Sequence, residues 1–392
     1  MMGQTNASPV YHIYSGSTHA HTAYTWSHGE QFINTKEEKG EEKTPGIYVA
    51  PDGAQYPAKS KSVKPDWQKH QGPPSEHYAL AKTNGYDFYV VTDHSQEAAF
   101  QPPSPTNANW VSTKRAAAEA TDAKFVALAG YEHSENNGPN GVGHLNVINS
   151  AEYLNALAPG VDLPYLYHWL ETARPDGEGP IVASFNHAGA RQYNNWDYRD
   201  PEVTDIITML EVINSNRKIH YEAFVNALDK GWKVSPVCGN DNHGFYGITH
   251  QTSRTFVLAT NLTKVAILEA MKQRRTYASL DQNIQCRYSV NGAIMGSTLN
   301  GPKRFEFEIK VSDPDSTKSR DKITKLDIVK DGGAVAATYA PEPAFSVKWA
   351  PVIEDATNRY FFVRVWNAGG GDAPGANRDQ PVAWLAPVWT GR

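Results

Sequence analysis

Cysteine is scarce in this chain, since Cys238 and Cys286 are the only two among 392 residues. Two cysteines do not make a disulfide framework, and their separation matches no cysteine-based metal-binding spacing. Cys238 is most simply a small buried residue on a strand. The sequence therefore excludes a scaffold held together by disulfides and a metal site built from cysteine.

An excess of positive charge is also lacking, because 37 Lys and Arg residues stand against 42 Asp and Glu residues, for a net charge of −5. No basic cluster of the kind that broad phosphate-backbone contacts require is present. No run of about eighteen apolar residues occurs, which excludes a transmembrane helix. We therefore expect neither nucleic acid nor a membrane as a partner.

The N-terminal stretch MMGQTNASPVYHIYSG lacks the apolar core of an export signal. Its doubled Met before a polar leader is typical of a chain that starts after a removed signal peptide. We therefore expect a periplasmic or secreted protein, with the cytoplasm as the alternative. The length suffices for one large domain and a smaller one.

Histidine and acid residues, by contrast, are concentrated in short motifs that adjoin β-like apolar runs. Seven of the fourteen histidines belong to this set, which comprises STHAHT with His19 and His21, the nearby His28, FYVVTDH with His94, FVALAGYE with Glu132, GHLNVI with His144, IVASFNH with His187, and VCGNDNH with Asp241 and His243. Neutral imidazole and carboxylate suit Zn²⁺, Mn²⁺ or Fe²⁺. Side chains two residues apart on a strand share a face, so His19 and His21 can hold one ion together. One such pair is weak evidence, but its recurrence at strand ends predicts a metal site.

Strands alternate with helices up to about residue 285. One example is the helix of SEHYALAKTNG, with a Ser cap, which leads into the strand YDFYVVT. This alternation implies a mainly parallel sheet, and the number of units favours closure into an α/β barrel over residues 1–285. Short alternating strands such as RFEFEIKVSD follow, so residues 286–392 are predicted to form a small antiparallel β-sandwich whose tryptophans lie in the core.

Residues 35–74 form a polar stretch rich in Lys, Glu, Gly and Pro, without helical or strand periodicity over most of its length. We predict a long surface loop inserted into the barrel. It follows the strand that carries His19 and His21, so it could cover the site. Trp67 and Tyr56 are the residues of the loop that we single out. A mobile insertion with no role is the alternative.

The ordered motifs THAHT, TDH, GYE, GHLNV, NHAG and GNDNHG resemble the PHP (polymerase and histidinol phosphatase) metallohydrolase superfamily over about residues 15–250. The later SRTFVLA, AILEAMKQRRTYAS and VNGAIMGS resemble the branch that includes carbaryl hydrolase. The resemblance implies a distorted (β/α)7 TIM-like barrel with three metal ions. It assigns them these ligands: His19, His21, Glu132 and Asp241 for the first; Glu132 as a bridge with His144 and His187 for the second; and His28, His94 and His243 for the third.

Two departures from the family pattern bear on this site. Ser17 occupies the position where the family often has an Asp. A carboxylate that would support the metal ligands is therefore missing, which bears on metal affinity and not on the presence of metal. His28 lies one residue further from His21 than in the commonest spacing, which leaves the third ion the least secure. We therefore expect two to three divalent ions, as Zn, Mn or Fe.

Divalent ions of this kind lower the pKa of a bridging water and clamp substrate oxygens during in-line attack, which fits hydrolysis of a small phosphoester. Arg191 could pair with a phosphate oxygen, with a surface arginine as the alternative interpretation. Asp93 could orient a ligand or act as acid or base. His133 could protonate the leaving group, although strand alternation turns it away from the ions. Glu211 could line the mouth.

Two further hypotheses stay open beside a phosphomonoesterase or phosphodiesterase. A carbamate or carboxylic ester hydrolase would use the same metal site against a planar carbonyl. An inactive metal-binding or ligand-binding module would keep the ligands without the reaction. An anion-binding pocket beside the metals would favour phosphate, whereas an apolar aromatic pocket would favour an aryl carbamate.

Overall fold

The computed structural model describes residues 9–33, 45–49, 53–135, 143–189, 192–215 and 218–392. The strands are β1 (His12–Ser17), β2 (Pro45–Val49), β3 (Gln55–Ser62), β4 (Phe88–His94), β5 (Val126–Glu135), β6 (Gly143–Ile148), β7 (Val182–Asn186), β8 (Ile207–Asn214), β9 (Lys218–Ile219), β10 (Ser235–Gly239), β11 (Arg254–Ala259), β12 (Thr276–Ser279), β13 (Gln285–Val290), β14 (Ala293–Ile294), β15 (Arg304–Ser312), β16 (Ile323–Lys330), β17 (Ala334–Tyr339), β18 (Ser346–Trp349), β19 (Val352–Glu354), β20 (Tyr360–Asn367), β21 (Ala383–Leu385) and β22 (Val388–Trp389).

The helices are α1 (Pro74–Thr83), α2 (Ala108–Ala120), α3 (Leu163–Thr172), α4 (Gln192–Asn195, a single turn with positive φ at its centre), α5 (Tyr221–Asp229), α6 (Phe245–Thr249) and α7 (Lys264–Lys272). Within the described residues, no helix is both long and apolar enough to cross a membrane. The Ser cap predicted for the first helix is wrong, because α1 begins at Pro74 and Ser75 lies inside its first turn. Proline suits that position, since its missing N–H would have no helical partner there.

One sheet of fifteen strands dominates the molecule, with the order β10-β8-β7-β6-β5-β4-β1-β11-β12-β21-β20-β16-β17 and with β9 and β22 at its sides. Strands β1, β4 and β5 are mutually parallel, as are β7, β8 and β10. The protein therefore has the predicted mixed α/β architecture with a large sheet rich in parallel pairs.

Strand β6 departs from the predicted pattern because it runs antiparallel to both β5 and β7. Only residues 136–142 separate β5 from β6. A return to a parallel strand takes about a dozen residues or more, so this connection forces a reversal. The reversal places His144, at the start of β6, at the same end of the sheet as the carboxyl ends of the parallel strands.

The first seven strands of the sheet order curve until their outer members meet. Ala20, after β1, forms a parallel bridge with Asn242, after β10. His21 N donates to Asn242 O at 2.9 Å, and Asp241 N donates to His19 O at 3.0 Å. Two segments that carry metal-ligand candidates are thereby held against each other by backbone hydrogen bonds.

The apolar run of β4 is buried along its whole length and separates two parts of the core. Phe88 and Val90 pack in a cluster with side chains of α7. Tyr89 and Val91 pack on the opposite side in a cluster with side chains of α1 and α2. A strand covered on both faces reads as a continuous apolar run, which is why the sequence pattern located β4 correctly.

The 35–74 insertion is not a structureless loop in its described part. Strands β2 and β3 pair as an antiparallel hairpin, with Val49 opposite Gln55. The ring of Trp67 lies 5.1 Å from that of Trp26, which anchors the insertion next to the segment that carries His28. The polar composition of the insertion gave no sequence signal for this hairpin, because strands at the surface need little apolar content.

The C-terminal strands pair antiparallel in two layers. Strands β14, β13, β15, β18 and β19 form a separate five-stranded sheet, whereas β16, β17, β20, β21 and β22 extend the large sheet through β12. The layers contact through Phe305 and Phe361, with rings 4.9 Å apart. Trp366, Trp384 and Trp389 are buried as predicted, whereas Trp349 is only half-buried. The large sheet runs past residue 285 without interruption, so the boundary between domains 1–285 and 286–392 stays a prediction.

Candidate metal centre

The histidine and acid motifs converge at one end of the large sheet. His19 and His21 follow β1, His94 ends β4, Glu132 lies in β5, His144 begins β6, His187 follows β7, and Asp241 and His243 follow β10. His28 reaches the same place from the segment after β1, with its ring 4.1 Å from that of His243. We call this set the histidine centre. Its convergence follows from topology, because parallel strands bring their carboxyl ends to one edge.

Glu132 lies in the middle of the histidine centre and is fully buried. Its Oε1 atom lies 3.1 Å from His144 Nδ1 and 3.4 Å from His187 Nε2. Its Oε2 atom lies 2.9 Å from His94 Nε2. Each carboxylate oxygen therefore faces a different group of imidazoles, which is the geometry that a ligand shared by two ions requires.

His19 and His21 direct their Nε2 atoms at each other, 2.9 Å apart. Asp241 Oδ1 lies 3.2 Å from His21 Nε2 and 3.6 Å from His19 Nε2. Two nitrogen lone pairs and a carboxylate oxygen in contact need a proton or a cation between them. This donor set fits a divalent ion such as Zn²⁺, which takes nitrogen and oxygen ligands from such side chains.

The donor atoms fall into overlapping groups of three, each with its atoms within 4.8 Å of one another. The groups are His19, Glu132 and His187; His19, His21 and Asp241; His21, His94 and His243; and His28, His94 and Glu97. These groups contain eight of the nine ligand candidates, and His144 joins them through its contact with Glu132 Oε1 at 3.1 Å. The structure adds Glu97, three residues beyond His94 in TDHSQE, which the sequence analysis missed although its spacing from His94 was visible.

The charges within the histidine centre compensate one another. Burial opposes ionisation of Glu132, but His19 and His144 hold the pKa of its carboxyl well below the usual value. Burial likewise opposes protonation of His94, yet Glu132 and Glu97 raise the pKa of His94 to about 9. Only neutral imidazole binds metal, so an incoming ion must displace such protons.

Glu211 supports the cluster from below and does not line its mouth. It is fully buried, with Oε1 2.7 Å from His19 Nδ1 and Oε2 accepting the backbone N–H of His187 at 2.8 Å. A carboxylate at Nδ1 fixes the imidazole tautomer that presents Nε2 to a metal. A Cβ at Gly239 would overlap with Glu211 Oε1, so glycine is required at that position.

Three polar side chains that the sequence analysis missed orient the acids. Asn186 Nδ2 donates to Glu132 Oε1 at 2.9 Å, and Ser134 Oγ donates to Glu132 Oε2 at 2.9 Å. Asn214 Nδ2 donates to Asp241 Oδ2 at 3.0 Å. Asparagine and serine carry no strong chemical signal in a sequence, so only the fold reveals these roles.

Backbone strain marks two of the ligand candidates. His187 has φ 28° and Asp241 has φ 48°, in the left-handed region that residues with a side chain rarely adopt. Such conformations persist where the surroundings impose them and cluster at functional sites. Here they turn both side chains into the histidine centre.

The three further catalytic candidates differ in their placement. Asp93 is buried and its two oxygens accept hydrogen bonds from Thr22 and Thr25, so it fixes the loop after His21 and does not face the cavity. Burial raises the pKa of Asp93 to about 6. His133 is buried on the face of β5 opposite Glu132, and burial lowers its pKa to about 4, which argues against proton donation. Arg191 lies outside the described residues.

A cavity of about 560 Å³ opens above the histidine centre. Its described lining is polar throughout, made of Ser27, His28, His94, Gln96, Glu132, Ser134, His144, His187, Asn214, Lys218, His220, Asp241 and His243. Lys218 and His220 add basic groups that the sequence analysis did not single out. His220 Nδ1 lies 3.2 Å from Ala188 O, so Nδ1 carries the proton and Nε2 is the free acceptor.

The chain shows limited similarity to known proteins. No family model matches the chain, and no curated protein matches it. Among solved structures it is similar to a two-domain protein from Bacteroides vulgatus ATCC 8482 containing a predicted PHP-like metal-dependent phosphoesterase. The identity is 14%, the TM-score is 0.46, and the match covers 98% of this chain and 100% of the other. The functional argument therefore depends on the histidine centre itself.

Proposed function

We propose that the chain is a PHP-type hydrolase that uses two to three divalent ions to cleave a phosphoester of a small molecule. The observation that carries the proposal is the convergence of seven histidines, Glu132 and Asp241 at the floor of an open cavity. When bound, the ions supply an activated water and neutralise charge that builds up on the phosphoryl oxygens.

The residues of the chain prepare this reaction in separate ways. Glu132 offers one oxygen to each side of the cluster, so it suits a bridging ligand. Glu211 keeps His19 Nε2 directed at the centre. Lys218, at the rim, can attract an anionic substrate, and His220 also lines the cavity. Burial lowers the pKa of His220, which keeps this ring neutral near neutral pH.

The polar lining supports a phosphoester over an aryl carbamate. Apart from imidazoles, no aromatic or aliphatic side chain belongs to the described lining of the cavity. Sites for aryl ligands are lined mainly by hydrophobic and aromatic side chains. A hydrolase of carbamates or carboxylic esters, including one of the carbaryl hydrolase branch, would therefore lack contacts for its leaving group in this part of the site.

The test combines metal analysis with a substrate panel on protein purified without chelator. We expect two to three transition-metal ions per chain and turnover of p-nitrophenyl phosphate or bis-p-nitrophenyl phosphate. Turnover of 1-naphthyl methylcarbamate alone would reject the phosphoester assignment. A metal-free protein with no activity after addition of Zn²⁺ or Mn²⁺ would reject the hydrolase.

Substitution at the rim sharpens the same test. Lys218→Ala should raise KM for a phosphoester about tenfold with a smaller change in kcat, since the amine contacts the anion in the ground state and the transition state alike. Lys124→Ala, at an exposed position away from the cavity, is the matched control. Equal kinetics for both variants would mean that the substrate is held without Lys218.

A further inference from the structure

Four aspartates meet where strand ends from both sheets come together. Asp281 follows β12, Asp313 follows β15, Asp321 precedes β16, and Asp372 lies in the segment after β20. One oxygen from each of Asp281, Asp321 and Asp372 lies within 4.8 Å of the others. Asp313 is close enough to raise the pKa of both Asp281 and Asp321. We call these four residues the aspartate cluster.

Burial makes this arrangement unusual. Asp281, Asp313 and Asp321 are 1%, 4% and 2% exposed. Asp313 Oδ2 and Asp321 Oδ1 are buried and receive no hydrogen bond from the described residues. A buried carboxylate oxygen without a donor is costly unless a cation is in direct contact with it. These two oxygens therefore point to a missing ligand, independently of the number of acids.

Three other carboxylate oxygens of the aspartate cluster accept hydrogen bonds from neutral donors. Asp281 Oδ1 accepts the backbone N–H groups of Asn283 and Ile284 at 3.0 and 2.9 Å. Its Oδ2 accepts Asn367 Nδ2 at 3.3 Å. Asp372 Oδ2 accepts the backbone N–H of Gln282 at 2.9 Å. These bonds fix the carboxylates in a converging geometry without neutralising their charge.

The nearby cations do not balance the aspartate cluster. Arg320 Nε lies 4.0 Å from Asp321 Oδ1, and its Nη2 donates to the backbone oxygen of Gly371. Lys318 pairs at 2.6 Å with the half-buried Asp315 instead. Burial and mutual repulsion raise the pKa of Asp281 well above its usual value and that of Asp321 to about 6.

We propose that the aspartate cluster binds one Ca²⁺ ion that ties the two sheets together. All its donors are oxygens, and Ca²⁺ takes about six to eight oxygen ligands from carboxylates, carbonyls and water. The four carboxylates come from segments that flank β12, β15, β16 and β20. A bound ion would connect the large sheet to the five-stranded sheet and stabilise the folded state. This proposal does not depend on the proposed hydrolase function.

The experiment compares thermal unfolding of the full chain after EDTA treatment and dialysis, with and without added CaCl₂. The wild type should bind one Ca²⁺ in calorimetric titration, and its melting temperature should rise by about 3 °C or more at saturating Ca²⁺. Asp241→Asn, which alters the histidine centre alone, should keep both results.

Asparagine substitutions in the aspartate cluster give a signature that misfolding cannot imitate. Asp321→Asn and Asp372→Asn should melt at or above the wild-type temperature in EDTA, because each removes a repelling charge, and should lose the Ca²⁺ response. Asp315→Asn, in the same loop but at a half-buried carboxylate that already pairs with Lys318, is the matched control and should respond like the wild type. A wild type without calcium binding, or a response retained in both cluster variants, would overturn the proposal.

Discussion

The histidine centre and the aspartate cluster are both buried groups of ionisable side chains, yet their carboxylates behave in opposite ways. The pKa of Glu132 is held well below its usual value, because His19 and His144 contact it despite its burial. The pKa of Asp281 is raised well above its usual value by burial and by Asp372 and Asp313. The first group supplies its own positive charge through imidazole protons, whereas the second must take it from outside.

The two regions also differ in their donor atoms, and these favour different metal ions. Imidazole with carboxylate selects Zn²⁺, Mn²⁺ or Fe²⁺, whereas oxygens alone select a hard cation such as Ca²⁺. The two regions also differ in their surroundings. The histidine centre forms the floor of a cavity of about 560 Å³ that a substrate can enter, and the aspartate cluster connects strands of two sheets. We therefore propose catalysis for the histidine centre and stabilisation of the fold for the aspartate cluster.

The largest expected effect comes from Glu132→Gln. This change removes the carboxylate charge whose two oxygens face different imidazoles of the histidine centre, so phosphoesterase turnover should fall by more than about 100-fold. Kinetic assays in the presence of Zn²⁺ or Mn²⁺ measure the loss, and circular dichroism should show an unchanged fold. The Ca²⁺ response of the melting temperature should persist, which separates the two regions.

A matched change next to Glu132 provides the control. Ser134→Ala removes one hydrogen bond to Glu132 Oε2 but leaves the carboxylate in place. Its turnover should fall by about tenfold at most, since one supporting bond is lost. Near-normal activity of Glu132→Gln would show that the bridge lies elsewhere in the cluster.

A smaller effect is expected from Glu211→Gln. Loss of the charge at His19 Nδ1 should weaken metal binding by about 10- to 100-fold, which competition with a chelating dye measures. Asp87→Asn serves as the control, because Asp87 is a largely buried carboxylate bonded to Ser15 and precedes β4, at the end opposite to His94. Equal metal affinity in the two variants would remove Glu211 from the support of the site.

The sequence identified the residues that come together in the histidine centre, because the signals were local. Apolar runs located β4 and β7, and the acids and histidines next to each run marked the end of the sheet where the site lies. The reversed β6 was missed although its short connection after Glu135 was visible. Glu97 was likewise missed although its spacing from His94 was visible, whereas His220 and the aspartate cluster were missed for another reason. Aspartates are common in turns, and only the folded chain brings Asp281 next to Asp372.

The pH dependence of hydrolysis should show that protons and metal compete for the histidine centre. Despite burial, neighbouring carboxylates raise the pKa of His19 well above its usual value and that of His94 to about 9. Activity should therefore rise from acid pH to a neutral or alkaline plateau, and excess Zn²⁺ or Mn²⁺ should shift the acid limb lower. Rate profiles at two metal concentrations measure this. An optimum near pH 4–5 that ignores chelator would contradict a metal mechanism.

The smallest effect concerns His77, which lies outside both groups and so shows what burial does alone. Its ring is fully buried, with Nε2 2.5 Å from Gln71 Oε1, and burial lowers its pKa to about 3. The unfolded chain binds a proton near pH 6.5, so the stability that depends on a neutral His77 is present above that pH and is lost as the pH falls toward 3.

His77→Gln should therefore flatten the acid dependence of stability. Relative to the variant, the wild type should lose about 1.6 kcal/mol of unfolding free energy between pH 6.5 and 5, since each pH unit over which only the unfolded chain is protonated corresponds to about 1.4 kcal/mol. Urea unfolding of EDTA-treated protein at both pH values measures the difference, and His168→Gln, at an exposed ring, should keep the wild-type slope. Parallel pH dependences for wild type and His77→Gln would mean that His77 takes up its proton in the folded state, against the effect of burial.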